Sequence, residues 1–198
     1  MLSLAERCAS YQAAFPQFPD SWPYVSPTGR WLLATWMLGQ NYRGSGYYGA
    51  YPPGYLARVR ALFPDIPQPA WLHLFSGSLQ PDVPGTRVDI RAPGLGVIAP
   101  TIRANARRLP FVDGQWTLTC ADPPYTKDDA KRYATPAVNK PAVMRELARC
   151  TAPGGFLLWL DTSLPQYRKD QWEHFGLITV QRSTNHRYRG VALFRRVA

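Results

Sequence analysis

The chain has 198 residues, of which 45% are hydrophobic and 13% aromatic, enough for one globular domain with a real core. Its formal net charge of +10 suits a partner that is a polyanion, nucleic acid first. No apolar run reaches the roughly 18 residues that a membrane helix needs. The opening MLSLAERCASYQ lacks the basic and apolar regions of a secretory leader. Cys8, Cys120 and Cys150 are far apart and form no C-x-x-C pair. That pattern supports neither a metal site nor a disulfide framework, and it predicts a reducing, cytoplasmic setting.

Ser3-Leu4-Ala5-Glu6 is a capping-box pattern, and Leu4, Cys8, Tyr11 and Phe15 then recur at helical spacing until Pro16. QFPDSWPYVSPTG reads as a proline-rich loop. Trp31, Leu32, Thr35 and Trp36 predict a second helix, stopped by Gly39. NYRGSGYYGAYPPG is rich in Gly and Tyr and reads as a loop. Pro53 then opens a short helix carrying Leu56, Val59, Leu62 and Phe63.

After Pro69 short apolar runs alternate with Gly and Pro. They predict strands at Trp71–Phe75, Arg87–Ile90, Val97–Ile102, Trp116–Cys120 and Phe156–Leu160. A helix is expected over Pro141–Cys150, with Val143, Met144, Leu147 and Ala148 on one face, and another near Gln166–Phe175. Leu177–Gln181 and Val191–Arg196 read as a hairpin around STNHRYRG. The strand, helix, strand order of Trp116–Leu160 indicates an α/β unit with a parallel pair. The whole chain is expected to be a single domain, with residues 1–65 as a helical, aromatic extension and 70–198 as the core.

The run Trp116–Cys120 leads into Asp122-Pro123-Pro124-Tyr125. Two prolines end a strand and stiffen the turn, and they bring no N–H of their own. The carboxyl end of a parallel strand is where open α/β sheets place ligands. An acid, a carbonyl and an aromatic at that spot can hold a planar amine. Asp122 and the Pro123 carbonyl accept its two N–H bonds, and Tyr125 stacks on the ring that bears it.

WLHLFSGSL, VDI and RANARRLPFVDGQWTLTCADPPY together resemble the class I S-adenosylmethionine-dependent methyltransferases that modify exocyclic amino groups of bases. The likeness covers roughly residues 47–160. It implies a Rossmann-like sheet, S-adenosyl-L-methionine as cofactor, and methyl transfer to adenine N6 before cytosine N4, in DNA before RNA. It also implies residue roles. Phe75, Ser76, Gly77 and Ser78 form the tight turn beside the methionine part of the cofactor. Asp89 accepts from the ribose hydroxyls or is a surface acid at a strand end. Asn105 stands where the family usually has Asp, against the adenine amino group. Phe111 packs on the adenine ring or belongs to the core. Tyr48, with Tyr47 and Tyr51, covers the cofactor or packs in its own loop. Asp122, Pro123, Pro124 and Tyr125 hold the target base.

That base must be single-stranded or flipped out to enter such a pocket. Lys127, Lys131 and Arg132 follow the motif, and Arg182, Arg187 and Arg189 belong to the basic hairpin. Each group either contacts phosphates or is a solvated face. Departures from the family pattern concentrate in the connections that follow the first and the second core strands. SGSLQPDVPGT and RAPGLG are too short and too rich in Pro and Gly for the usual helices. One sheet face is therefore expected to be bare unless the N-terminal helices cover it.

Overall fold

The computed structural model describes residues 1–39, 51–94, 97–182 and 185–197. The helix α1 (Leu4–Ala14) starts on the expected capping box: the Ser3 side chain accepts from the Glu6 amide, and Glu6 reaches back to Ser3. The strands β1 (Tyr24–Val25) and β2 (Leu32–Leu38) follow. The helix expected on Trp31, Leu32, Thr35 and Trp36 is therefore a strand, and Gln166–Phe175 is no helix either: the chain enters a strand at Trp172. Both misreadings have one cause. Leu32, Ala34, Trp36 and Leu38 are buried on alternate positions, a period of two, because β2 pairs in parallel with a strand far along the chain.

The helix α2 (Tyr55–Leu62) begins after Gly54 and carries Val59 and Leu62 into the core. Then come β3 (Trp71–Leu74), β4 (Thr86–Asp89), β5 (Ile102–Arg103) and β6 (Trp116–Ala121). The strand expected over Val97–Ile102 shrinks to β5, and Val97 forms only an isolated bridge with Gly94. The helices α3 (Lys127–Arg132) and α4 (Lys140–Cys150) precede the long strands β7 (Thr151–Asp161), β8 (Trp172–Arg182) and β9 (Asn185–Arg196). Among the described residues the nine strands form one sheet in the order β1-β2-β8-β9-β7-β6-β3-β4-β5. The β3–β6–β7 and β3–β4–β5 pairings are parallel, and β8 and β9 form the antiparallel C-terminal hairpin.

Each sheet face has its own core. Phe156, Leu158 and Leu160 of β7 point to one face, where Tyr11, Trp36, Tyr55 and Leu62 meet them. Leu157 and Trp159 point to the other, against Val143, Met144 and Leu147 of α4. The N-terminal helices thus cover the face that lacks crossover helices. Arg7 is wholly buried there. It binds Asp65 through both terminal nitrogens at 2.7 and 3.0 Å, and its guanidinium lies 4.6 Å from the Phe63 ring centre.

The β3–β4 connection has no helix, as expected, only turns. Gly85 makes the return possible. Its φ is +112°, and a side chain there would meet the Trp71 carbonyl at 2.9 Å. Arg87 supplies the donors that helices would have made unnecessary: its Nη1 reaches the carbonyls of Leu79 at 3.2 Å and Ala99 at 2.8 Å, one in each short connection.

Candidate active site

From β3 the chain steps outward to β4 and β5, then returns to the opposite side of β3 as β6. The connections after β3 and β6 therefore part in opposite directions, and a crevice opens at their carboxyl ends. A cavity of about 400 Å³ lies there. Its walls include Phe75, Gly77, Asp89 and Asn105 from one side, and Asp122, Pro123, Pro124 and Tyr125 from the other.

The turn after β3 is tightly held. Phe75 sits at φ +63°, a left-handed conformation that is costly for an aromatic residue, and Gly77 at φ +50°. The Ser76 amide donates to the Val88 carbonyl at 3.0 Å. Asp89, buried at the end of β4, accepts from the Gly77 amide through Oδ2 and from the Arg91 amide through Oδ1, both at 2.9 Å. The Asp89 carboxylate thus organises the turn, and Asp89 is also part of the cavity wall. Asn105 lines the wall with its Oδ1 already accepting from the Arg107 amide at 3.0 Å.

Opposite this turn, the Asp122 amide reaches the Leu74 carbonyl at 3.4 Å, which continues the β3–β6 pairing into the motif. The Tyr125 hydroxyl donates to Asp122 Oδ1 at 2.7 Å. Burial, and then the neighbouring Asp122 carboxylate, push the Tyr125 phenol well above its ordinary pKa, so it stays a donor. The Arg189 guanidinium lies 5.1 Å from the Tyr125 ring centre. Arg91, also in the cavity wall, lies 5.4 Å from the Tyr133 ring centre.

The remaining expected residues fall elsewhere. Ser76 is buried beneath the turn, and Ser78 is half-buried outside the cavity wall. Phe111 packs edge-on against Trp116 with 5.1 Å between ring centres, inside the α4-side core. Of the two readings open for Phe111, the structure places it in the core. Tyr51 stacks on Tyr55 behind the motif strand and donates to the Cys120 carbonyl at 3.1 Å. Tyr47 and Tyr48 lie outside the described residues, as do the side chains of Arg182 and Arg187. Arg132 and Arg189 line the cavity, whereas Lys127 and Lys131 are exposed and outside its wall, with Lys131 3.8 Å from Asp128.

Sequence reasoning missed the helix that follows the motif. Thr126 and Asp129 form a capping box that starts α3, and Asp129, Arg132 and Tyr133 join the wall. The signal was present as T-x-x-D, with Asp in the place usually taken by Glu or Gln. It also missed α4 as an organiser of loops. Glu146 accepts from the Leu109 amide at 2.6 Å, and Arg149 donates to the Leu109 and Phe111 carbonyls at 3.1 and 2.7 Å. That pair secures the segment that follows Asn105. Hydrogen bonds from Arg149, against a smaller effect of burial, hold the Glu146 carboxyl below its usual range.

Among the described residues no cluster of three or more His, Cys, Asp or Glu side chains could hold a metal ion. None of the helices searched there is long and apolar enough to cross a membrane. No protein-family model matches the chain, and no curated protein matches it. Among solved structures it resembles TrmN from Thermus thermophilus, a tRNA methyltransferase, with a TM-score of 0.51 at 20% identity. The alignment covers 78% of this chain and 50% of that one, so this chain spans half the length of that structure. A structure titled for the conversion of a disulfide bond into a thioacetal group during echinomycin biosynthesis aligns with a TM-score of 0.47 at 16% identity, over 75% of this chain and 84% of that one. That second likeness is too low to argue from. The sheet order, the C-terminal hairpin and the likeness to TrmN together give this chain a Rossmann-like, class I methyltransferase fold.

Proposed function

We propose that the protein is an S-adenosylmethionine-dependent methyltransferase acting on an exocyclic amino group of a nucleic-acid base, adenine N6 in DNA before cytosine N4. The observation that carries this reading is the position of Asp122-Pro123-Pro124-Tyr125. It stands at the carboxyl end of β6, across one cavity from Gly77 and Asp89.

The residues present suit the cofactor. The cavity falls within the roughly 300–1,000 Å³ range of small-molecule sites. Gly77 lets a ligand approach the backbone closely. Asp89 has lone pairs to offer ribose hydroxyls beyond those holding the turn. Asn105 fits less well, since its Oδ1 already caps Arg107 and an adenine amino group would have to share it. When bound, S-adenosylmethionine supplies an electrophilic methyl group on a sulfonium.

The chain's own task is then to make a poor nucleophile attack. The lone pair of a base amine is delocalised into its ring. Asp122 and the Pro123 carbonyl accept the two N–H bonds and draw the nitrogen towards tetrahedral, so that its lone pair faces the methyl group. The Tyr125 hydroxyl holds one Asp122 oxygen in place. The nitrogen gains the methyl, and the proton it sheds leaves by way of Asp122 to solvent. The work is positioning and electrostatics. Arg132 and Arg189 at the cavity, with the net charge of +10, favour a polyanion.

RNA is the second reading, because the structure resembles a tRNA methyltransferase. One experiment separates the two. Nucleosides from DNA and from RNA co-expressed with the protein are analysed by mass spectrometry, beside an Asp122→Ala control. A methylated adenosine or cytidine absent from the control is expected, and the polymer that carries it names the substrate. Methylation that survives Asp122→Ala would sink the assignment of this site. Transfer to neither polymer, together with no heat on titrating S-adenosylmethionine, would favour a non-catalytic nucleic-acid-binding protein on this fold. Transfer to a protein amide alone would favour a protein methyltransferase.

A further inference from the structure

Lys140 is the first residue of α4, where a cation runs against the helix macrodipole. Its ammonium is nonetheless fully engaged. Nζ lies 2.7 Å from Asp161 Oδ2, 3.2 Å from Ser163 Oγ and 3.3 Å from the Tyr125 carbonyl oxygen. An ammonium has three N–H donors, and here each has an acceptor. Asp161, the last residue of β7, is almost fully buried, and it also accepts from Trp159 Nε1 at 3.0 Å and from the Thr162 amide at 2.7 Å. A carboxylate buried that deeply needs its cation, and the cation is thereby fixed in space.

Three segments meet at this one nitrogen: the motif loop after β6, the start of α4 and the end of β7. The third contact bears on the site. Tyr125 is held by its main chain to Lys140, and its hydroxyl is bonded to Asp122. A continuous path runs from the Asp161 carboxylate through the Lys140 ammonium and Tyr125 to the Asp122 carboxylate.

We propose that Lys140, seated by Asp161, is a positioning residue. It fixes the backbone at Tyr125 and, through Tyr125, the direction of the Asp122 carboxylate. The role rests on the methyltransferase reading, and Lys140 itself touches neither reactant. Because a displacement of about 1 Å at a reacting group can cost on the order of a hundredfold in rate, the effect belongs in kcat rather than in cofactor KM.

The test replaces the ammonium and then restores it. Cys8, Cys120 and Cys150 are all buried, so in Lys140→Cys the introduced thiol is the one open to 2-bromoethylamine. That reagent rebuilds a side chain of lysine length bearing an ammonium, and intact mass follows its completion. Lys140→Cys is expected to lower kcat by about tenfold or more, with KM for S-adenosylmethionine within about twofold. Aminoethylation is expected to return kcat to within about threefold of the identically treated wild type. The proposal falls if unmodified Lys140→Cys keeps kcat within that margin, or if complete aminoethylation of a folded variant restores nothing.

Should Lys140→Cys not fold, Lys140→Met combined with Asp161→Leu removes the whole pair, an exchange that is often near neutral for stability. The same loss of kcat is expected, and an unchanged kcat overturns the proposal. If the wild type transfers no methyl group to any nucleic acid, the methyltransferase reading fails first. The positioning claim is then decided by NMR of 13C-labelled tyrosine, with the Tyr125 signal assigned through Tyr125→Phe. A signal that moves in Lys140→Cys and returns on aminoethylation upholds the link from Lys140 to Tyr125, and one that stays put refutes it.

Discussion

Replacing Arg7 by Met should unfold the N-terminal cover of the sheet well before the rest of the contacts would suggest. Arg7 is 0% exposed and holds Asp65 at 2.7 and 3.0 Å, the Leu62 carbonyl at 3.2 Å, and the faces of Phe63 and Phe156 at 4.6 and 4.8 Å. Removing one partner of a buried pair costs about 3–5 kcal/mol. The Asp65 side chain keeps 19% exposure, so water takes over part of its solvation and the lower end, about 3 kcal/mol, is expected. At about 2–4 °C per kcal/mol for a chain of this length, that is a fall in Tm of roughly 10 °C. Urea denaturation at pH 7 would show a lower midpoint with an unchanged m-value.

The acid side gives a second reading of the same pair. Burial pushes the Asp65 carboxyl up, but the Arg7 hydrogen bonds, the Leu2 amide and the Arg7 charge outweigh it, so its folded pKa lies below the usual value. The stability from that depression is complete above the ordinary carboxylate range and is lost as pH falls through the folded pKa. Arg7→Met keeps only the smaller share that backbone amides such as Leu2 supply, and the two stability curves should draw together on acidification. A variant within about 1 kcal/mol of wild type at pH 7, or curves that stay parallel into acid, would show that the pair does not hold this face.

Two further outcomes concern the cavity. Tyr125→Phe keeps the ring and removes the donor 2.7 Å from Asp122, a charge-assisted bond worth about 1.5–3 kcal/mol; a methyl-transfer assay should show kcat/KM lower by about ten- to a hundredfold, and a change under twofold would mean that the hydroxyl does not orient the carboxylate. Arg189→Gln should weaken single-stranded nucleic-acid binding and flatten the salt dependence by about one phosphate contact; fluorescence anisotropy across a salt series tests it, and an unchanged slope would mean that Arg189, which lies against the Tyr125 ring, meets no phosphate.

The motif strand was legible because its signals are local. An apolar run, an acid and two prolines specify a strand end and a rigid turn whatever surrounds them, and β6 ends one residue before Asp122. Asp89 at the end of β4 was legible for the same reason, and so were the capping box of α1 and the apolar stripe of α4. Asp161 offered the signal that Asp89 did, an acid closing an apolar strand. Nothing local, however, tied it to Lys140, 21 residues earlier by the numbering of their 2.7 Å contact.

Residues 31–38 and 166–175 went the other way. Their apolar spacing fits a helix as well as a strand, and short runs do not settle the period. The choice belonged to partners elsewhere in the chain. Leu32–Leu38 forms seven parallel rungs with Gly176–Arg182, and Trp172 pairs with Arg196. Phe111 was ambiguous for a similar reason, since a cofactor ring and Trp116 offer a phenyl group the same kind of surface.

The sequence by itself determined an α/β chain with a rigid Asp-Pro-Pro-Tyr turn at a strand end, a positive charge and connections too short for crossover helices. Each of these is written in consecutive residues, where backbone restrictions and side-chain chemistry act without a partner. Only the tertiary structure decided that α1 and α2 cover the bare sheet face and that Arg87 ties the two short connections. It also decided that Asp89 and Asp122 face each other across one crevice and that Lys140 grips the motif from behind. Those arrangements depend on sheet order, and sheet order is set by pairings between distant strands that no local segment encodes.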